Sequence, residues 1–202
     1  MKNKILKTSL NEFIQFGFKS VTMDDIARQL AISKKTIYEH FANKTELIDA
    51  CVDFVFKQLT DRINSIQKNE ANPIEGIFEV KKLALEHISN SSRSPEYQLQ
   101  KYYPEIYADL KKRELKTMGK GFKESLKRGI EMGLFRTSID IEFITRLYFN
   151  GFRGLCNPEL FPDSDYKPNE LLEKYYDYHL RAIATSKGVA LLEQYNTEKK
   201  LW

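Results

Sequence analysis

Apolar residues recur every three or four positions along almost the whole chain, the spacing that places them on one face of an α-helix. No stretch sustains the alternation of apolar and polar residues that is typical of a half-buried strand. The pattern therefore predicts an all-α fold. Its first helix is expected to run from about Asn3 to Phe16, and Gly17 stands where a left-handed residue ends a helix.

Two short helices are predicted next, each preceded by a hydroxyl residue that can accept hydrogen bonds from a first turn. Thr22 precedes the second helix and Ser33 the third. In the third helix Ile37 and Phe41 face inward, which leaves the polar residues of 34–40 outside. Three short helices in this order have the proportions of a helix-turn-helix, which we assign to residues 22–41.

Caps and prolines divide the rest of the chain into further helices. Asn43 is followed three residues later by Glu46, the spacing of a capping box at the start of a long fourth helix. A long amphipathic stretch ends at Gly133, a helix that is apolar almost all round follows over 141–155, and a last long helix occupies about 170–185. Other helices are expected to begin near Pro73, Pro95 and Pro104.

Composition is typical of a packed protein rather than a disordered chain. Of the 202 residues, 42% are hydrophobic and 30% are charged. The N-terminus lacks the apolar segment of a signal peptide, and the most apolar stretch, 139–156, contains four charged residues. We therefore expect a cytoplasmic protein that makes no membrane contact.

The positions of the charged residues and of the two cysteines indicate which kinds of partner and site to expect. The net charge is +4, and residues 1–47 hold eight basic against five acidic residues, so most of the positive surplus lies near the N-terminus. Cys51 and Cys156 lie on apolar helical faces without metal-site or redox-motif spacing. We expect free buried thiols, no metal and no cofactor.

The N-terminal segment matches a known family at several separated positions in register. Residues 3 to about 55 resemble the DNA-binding domain of the TetR (tetracycline repressor-like, AcrR-like) family, and the segment 129–136 resembles it more weakly. The matching motifs are Gly17-Phe18, Val21-Thr22-Met23-Asp24-Asp25-Ile26-Ala27, Ser33-Lys34-Lys35-Thr36-Ile37-Tyr38-Glu39-His40-Phe41 and Asn43-Lys44-Thr45-Glu46-Leu47.

The resemblance implies a role for each of seven residues. Thr22 would cap the second helix and touch a phosphate, and Lys44 would grip another phosphate. For His40 a base contact, a phosphate contact and a structural hydrogen bond all stay open. The residues expected to enter the groove are Lys34, Lys35 and Thr36, with Tyr38 and His40 on the backbone or bases.

Two positions depart from the family pattern. Ala31 stands in the turn where glycine is usual, although alanine tolerates a positive φ poorly. Lys35 stands where glycine or proline is common, and its charge could strengthen phosphate contact.

The resemblance also implies the domain organisation and the function. Residues 1–47 would form the helix-turn-helix DNA-binding domain, and residues 48–202 a helical domain for ligand sensing and dimerisation. The expected function is a ligand-responsive transcriptional regulator, by family habit a repressor. It would bind palindromic double-stranded operator DNA as a homodimer, and a small apolar or aromatic effector would release it.

The C-terminal half offers candidates for the dimer contact and the effector pocket. The helices over 141–155 and 170–185 are expected to form an intersubunit four-helix bundle, with a monomer core as the alternative. Many aromatic residues lie in the sequence between the helix-turn-helix and these two helices, and they would suit a planar effector. Packing in the core explains most of these residues equally well. The candidate pocket residues are Tyr102, Tyr103, Tyr107, Phe122 and Tyr148.

The sequence also bears on two other classes of function. An enzyme is disfavoured because the sequence contains no HExxH motif, nucleophile elbow or glycine-rich phosphate loop. A sensor whose reader no longer binds DNA differs from a regulator only in lacking sequence-preferring DNA binding. The sequence therefore predicts a regulator and not an enzyme.

Overall fold

The computed structural model describes residues 1–88, 95–155, 157, 159–162 and 164–198, and within them the fold is all-α, as predicted. The only β pairing among these residues is an isolated bridge between Phe135 and Ala184. The helices are α1 (Lys2–Phe16), α2 (Met23–Leu30), α3 (Lys34–Tyr38), α4 (Lys44–Asn69), α5 (Pro73–Ile88), α6 (Pro95–Tyr102), α7 (Pro104–Glu131), α8 (Ile141–Leu155), α9 (Pro168–Ile183) and α10 (Ser186–Glu198).

The chain divides into two compact units that do not follow a single cut in the sequence. Unit 1 comprises Met1–Thr60 and Ser91–Lys112, and unit 2 comprises Asp61–Asn90 and Arg113–Trp202. The DNA-binding domain predicted over 1–47 lies wholly within unit 1. That unit also takes in the following part of α4, all of α6 and the start of α7.

Six helices contribute to one apolar core in unit 1. Leu99 of α6 and Ile106 of α7 are buried in the same cluster as the side chains of α1 to α4, so packing joins distant segments of the chain. The members from the first four helices include Ile5, Phe13, Ile26, Ile37 and Leu47.

Backbone geometry at the ends of α1 and α2 explains their lengths. Gly17 ends α1 at φ 90° and ψ 150° and donates its N–H to the carbonyl of Phe13. The positive φ suits glycine, but the conformation differs from the left-handed helical one that was expected. Ala31 ends α2 at φ 54° and ψ 41°, a left-handed conformation that alanine adopts at a cost. The turn is therefore left-handed even though the residue is not glycine.

Unit 2 has its own apolar core, built from α5, the later part of α7, and α8 to α10. Phe135 folds back against α7, and a Cβ on Gly129 would collide with Cδ2 of that ring. Glycine at 129 thus makes room for the close packing. The buried core residues include Phe78, Leu126, Leu134, Phe135, Leu172, Tyr176, Leu180 and Leu192.

The C-terminal end of the chain corrects one prediction. The helix predicted over 170–185 runs from Pro168 to Ile183 and is not the last, because α10 follows it. Ala184 is extended and pairs with Phe135, which interrupts the helix. Thr185 then accepts the N–H of Gly188 through its hydroxyl at 3.2 Å and caps α10.

The predicted free, buried thiol at Cys51 is confirmed, while Cys156 lies outside the described residues. Burial raises the pKa of the Cys51 thiol to about 12, and its S–H donates to the carbonyl of Leu6 at 3.7 Å. Cys51 is therefore an unreactive packing residue. None of the helices within the described ranges is long and apolar enough to cross a bilayer.

Candidate nucleic-acid interface

The start of α2 is held by a reciprocal cap between Thr22 and Asp25. The Thr22 hydroxyl accepts the N–H of Asp25 at 3.2 Å, and the Asp25 carboxylate accepts the N–H of Thr22 at 2.9 Å. The Thr22 hydroxyl also donates to the Asp25 carboxylate at 2.6 Å, and this hydrogen bond, together with that from the Thr22 N–H, holds the pKa of Asp25 below its usual range. The predicted cap is confirmed, and Thr22 remains exposed at the surface of unit 1.

Helix α3 has one buried face and one exposed face. Ile37 is fully buried and Phe41, just past the helix, is almost fully buried, so these two side chains anchor α3 to the core. Lys34, Lys35 and Tyr38 are exposed. A short helix fixed from behind in this way presents its polar residues outward, as a helix that enters a DNA groove must.

Two contacts prearrange the exposed face of α3. Lys34 Nζ lies 2.8 Å from Asp24 Oδ2, an exposed ion pair that raises the pKa of Lys34. Such pairs contribute little stability, so Lys34 can exchange Asp24 for a phosphate at small cost. Thr36 and Ser33 share a hydrogen bond between hydroxyls at 2.9 Å, and the Ser33 hydroxyl also accepts the Thr36 N–H. Lys35 makes no comparable contact among the described residues and extends freely.

Lys44 begins α4 close to the turn between α1 and α2. Its ammonium donates to the carbonyl of Lys19 at 3.2 Å, and burial lowers its pKa while the charge of Asp25 opposes that shift. The predicted Asn43 cap is confirmed, because its side-chain oxygen accepts the N–H of Glu46. The Glu46 carboxylate accepts the N–H of Ala42 rather than that of Asn43.

Unit 1 therefore brings all seven predicted DNA-binding residues into one compact body. Thr36, His40 and Lys44 are half-buried, whereas the other four are exposed. His40 follows α3 and donates its backbone N–H to the carbonyl of Ile37. This contact involves the backbone and not the imidazole ring. The seven residues are Thr22, Lys34, Lys35, Thr36, Tyr38, His40 and Lys44.

The candidate pocket residues divide between the two units. Tyr103 and Tyr107 are half-buried against the core of unit 1, and burial raises the pKa of Tyr103. Tyr102 is exposed in the same unit. Phe122 and Tyr148 belong to unit 2, where their rings stack with centroids 4.3 Å apart.

The stacked pair in unit 2 is part of a larger aromatic cluster around His179. The His179 ring lies 5.1 Å from that of Tyr148 and 5.9 Å from that of Tyr175, between centroids. His179 is only 5% exposed, and burial lowers its pKa to about 4. Its Nε2 has no hydrogen-bond partner among the described residues. The hydroxyls of Tyr148 and Tyr176 are bonded to each other at 2.9 Å.

Sequence reasoning missed both His179 and the aromatic–lysine contacts of α6. Some aromatic neighbours of His179 belong to α9, but Phe122 and Tyr148 lie far from it in the sequence. Only the position of His179 on the apolar face of α9 could have indicated that it is buried. Lys19 and Tyr102 lie about eighty positions apart, so their contact left no local signal. No group of three or more His, Cys, Asp or Glu side chains in the described part of the chain could hold a metal ion.

Helices α8 and α9 leave apolar side chains on the surface of unit 2. Phe143 and Leu147 of α8 are 60% and 45% exposed, and Tyr178 of α9 is 73% exposed. The two residues of α8 are four apart and therefore share a face. A Cβ on Gly154, further along α8, would meet nothing within 4 Å. Phe143 and Leu147 thus form an exposed apolar stripe on α8, a feature typical of an interaction surface.

Comparison with known proteins identifies the family of the DNA reader. Residues 5–51 match the model of the bacterial regulatory proteins, tetR family. The HTH-type transcriptional repressor KstR2 of Mycobacterium tuberculosis is 26% identical over 148 residues, which cover 72% of this chain and 74% of that protein. The negative transcriptional regulator IcaR of the Staphylococcus aureus biofilm operon icaADBC is 29% identical over 79 residues, 39% of this chain and 42% of IcaR.

Solved structures share the fold over nearly the whole chain. The structure of KstR2 superposes with a TM-score of 0.60 at 23% identity and covers 92% of this chain and 95% of that one. The fatty acid degradation regulator FadR of Bacillus halodurans superposes with a TM-score of 0.66 at 17% identity, over 89% of this chain and 94% of that one. The matched segment coincides with α1 to α3 and the start of α4, and these similarities support a DNA-binding transcriptional regulator with a tetR-type DNA-binding domain.

Proposed function

We propose that this regulator is a repressor that binds palindromic operator DNA as a homodimer and is released by a small apolar or aromatic effector. The observation that carries the proposal is the two-faced α3, with Ile37 buried and Lys34, Lys35 and Tyr38 turned outward. The protein would act by binding and not by catalysis. Its site of action would be the cytoplasm, where bacterial operator DNA lies.

The proposed roles of the DNA-binding residues follow from their positions. Lys35 and Thr36 lie on α3 and would reach base edges, while Tyr38 and His40 would contact the backbone or bases. Lys34 would leave Asp24 for a phosphate. Thr22 and Lys44, at the starts of α2 and α4, would contact phosphates on either side of the groove.

The apolar surface of α8 and α9 supports the homodimer. A symmetric dimer places the same patch of each copy against the other, so Phe143, Leu147 and Tyr178 would lose their water together. Each large apolar side chain contributes about 1.5–3 kcal/mol when it is fully buried. Helices 141–155 and 168–183 of two copies would form a four-helix bundle.

The aromatic cluster of unit 2 supports an apolar or aromatic effector. Phe122 and Tyr148 remain the proposed contacts, because they lie in an aromatic cluster beside His179, whose Nε2 has no hydrogen-bond partner among the described residues. Tyr102, Tyr103 and Tyr107 belong to unit 1, and we leave them out of the proposed pocket. The KstR2 structure is described as that of a ketosteroid transcriptional regulator, and the FadR structure as that of a fatty acid degradation regulator. Both descriptions favour an apolar effector.

Release of DNA requires an effector that binds the DNA-free conformation more tightly than the DNA-bound one. We propose that α4 carries the change, because it begins at Lys44 in unit 1 and continues into unit 2. A ligand with equal affinity for the two conformations would change nothing.

Selection of duplexes from a random pool tests the proposal. The full chain is expected to enrich a palindrome whose half-sites are one helical turn apart, about 34–36 Å between centres, and to hold it against competitor DNA. Enrichment of no motif, or of a motif without two-fold symmetry, would overturn the dimeric-operator proposal. Long-chain fatty acids and ketosteroids are the first effector probes. An unchanged operator affinity with every probe that saturates the protein would overturn effector release.

A further inference from the structure

Helix α6 is fixed to the DNA-reading part of unit 1 through the turn that follows α1. The side-chain oxygen of Gln98 accepts the backbone N–H of Phe18 at 2.9 Å. The ring of Tyr103, just after α6, meets that of Phe18 edge-on with centroids 6.3 Å apart. Leu99 is buried in the core of the same unit. The end of α6 is therefore held beside the loop that contains Lys19.

This attachment places two lysine ammonium groups against one exposed tyrosine ring. Lys19 Nζ lies 5.1 Å from the centroid of the Tyr102 ring, and Lys101 Nζ lies 5.6 Å from the same centroid. Lys101 Nζ also lies 5.6 Å from the centroid of Tyr97. All four side chains are exposed. We call Lys19, Tyr97, Lys101 and Tyr102 the α6 patch.

The α6 patch keeps its positive charge. A tyrosine ring attracts an ammonium group through its quadrupole, which restrains the lysine side chain without cancelling the charge. In the described part of unit 1, neither Lys19 nor Lys101 has a carboxylate partner. Lys111, in contrast, pairs with Glu96 at 2.6 Å. Lys19 and Lys101 are thus restrained cations available to an anionic partner.

The patch is continuous with the surface that begins at Lys44. The Lys44 ammonium donates to the carbonyl of Lys19, so the two residues are in direct contact. Lys19 in turn contacts Tyr102, which contacts Lys101. A row of three cations therefore leads from the start of α4 to the end of α6. A DNA strand presents phosphates along its backbone at a regular spacing of about 3.4 Å of helix axis, which suits a row of cations.

We propose that the α6 patch is a further phosphate-binding surface, in which Lys19 and Lys101 contact the DNA backbone beyond the phosphate bound by Lys44. The proposal rests on the operator binding proposed above. Phosphate contacts add affinity and fix register but do not distinguish bases. Helix α6 thereby takes part in DNA binding although it lies outside the 1–47 segment.

The salt dependence of DNA affinity tests the patch. Lys19→Gln and Lys101→Gln are compared with Lys116→Gln, which makes the same charge change at an exposed position of unit 2. Binding of the full chain to the selected duplex is followed by fluorescence anisotropy over a series of KCl concentrations. Each patch variant is expected to flatten the plot of log affinity against log salt by about 0.9 for each phosphate that a protomer no longer neutralises. Lys101→Arg keeps the charge and is expected to restore the slope.

The outcomes separate the patch from operator binding itself. The patch alone would be overturned if the unmodified chain binds its operator tightly but Lys19→Gln and Lys101→Gln show the same salt slope as Lys116→Gln. An altered base preference in the patch variants would also overturn a pure phosphate role. If the unmodified chain shows no sequence preference, operator binding is wrong, and the same slopes on a mixed-sequence duplex then decide the patch.

Discussion

The side chain of Gln98 closes the turn after α1 by accepting the backbone N–H of Phe18, a residue eighty positions earlier in the chain. Phe18 is buried, so this N–H has little access to water. A Cβ on the neighbouring Gly17 would lie 2.7 Å from the same Gln98 oxygen, so the turn also needs glycine to let the amide approach. This contact fastens α6 to the DNA reader.

Gln98→Leu is expected to destabilise the protein because it leaves the Phe18 N–H unpaired. The loss should be about 1–3 kcal/mol in the free energy of unfolding, measured by urea denaturation. Gln100→Leu makes the same change at an exposed position of α6 and should shift stability by less than about 0.5 kcal/mol. Equal denaturation midpoints for the two variants would show that the Gln98 contact adds nothing.

Ala31→Gly is expected to stabilise the helix-turn-helix. Glycine removes the strain of the left-handed conformation, which stabilises the folded protein by about 1–2 kcal/mol. It also makes the unfolded chain more flexible, which costs about 0.5–1 kcal/mol, so the net gain in stability should be roughly 0.5–1 kcal/mol. Ala108→Gly, at an exposed position inside α7, should instead lose about 1 kcal/mol. Thermal melts of both variants check the opposite signs, and a loss at both positions would contradict the strain at Ala31.

Lys44→Ala and Thr36→Ala are expected to weaken DNA binding in different ways. Lys44 is proposed to bind a phosphate, so removal of its ammonium should lower affinity for all sequences and flatten the salt dependence by about 0.9 per protomer. Removal of the Thr36 hydroxyl should change the preference among sequences, because Thr36 is proposed to reach base edges. Binding to a set of single-base operator variants separates the two effects. The reverse pattern would contradict both roles.

Phe143→Lys is expected to convert the proposed homodimer to a monomer. The substitution places a positive charge from each copy in the apolar surface of α8, where burial would leave both charges unpaired. Sedimentation velocity gives the mass in solution. Leu160→Lys alters a similarly exposed apolar residue in the loop before α9 and should remain dimeric. A Phe143→Lys protein that still sediments as a dimer would place the interface elsewhere.

His179 is expected to make the stability of the protein fall in mild acid. Its pKa is about 4 in the folded protein against an ordinary value of 6.5, so between these two values the unfolded chain binds a proton that the folded one does not. Stability is fully present above the upper value and should drop by about 2 kcal/mol from about pH 7 to about pH 5. His179→Phe should remove this part of the pH dependence, as measured by urea denaturation at both pH values. An unchanged pH dependence in the variant would assign it to other groups.

Local patterns in the sequence determined much of the fold. The helical period, the caps at Thr22, Ser33 and Asn43, and the prolines that begin α5 to α7 act over a few neighbouring residues, so they are legible in the chain itself. The inner and outer faces of α3 follow from the same period. The exposed polar face of α3, which we propose reads DNA, could therefore be predicted from the sequence.

Tertiary packing decided what local patterns do not encode. Whether α6 belongs with the DNA reader depends on Gln98, Leu99 and Tyr103 meeting residues far away in the chain. The break between α9 and α10 depends on the pairing of Ala184 with Phe135. Aromatic residues that looked like one pocket, such as Tyr102 and Tyr148, were assigned to different units. An apolar or aromatic side chain fits many buried sites equally well. Its residue type alone therefore does not determine its neighbours, which are determined by the packing of the folded chain.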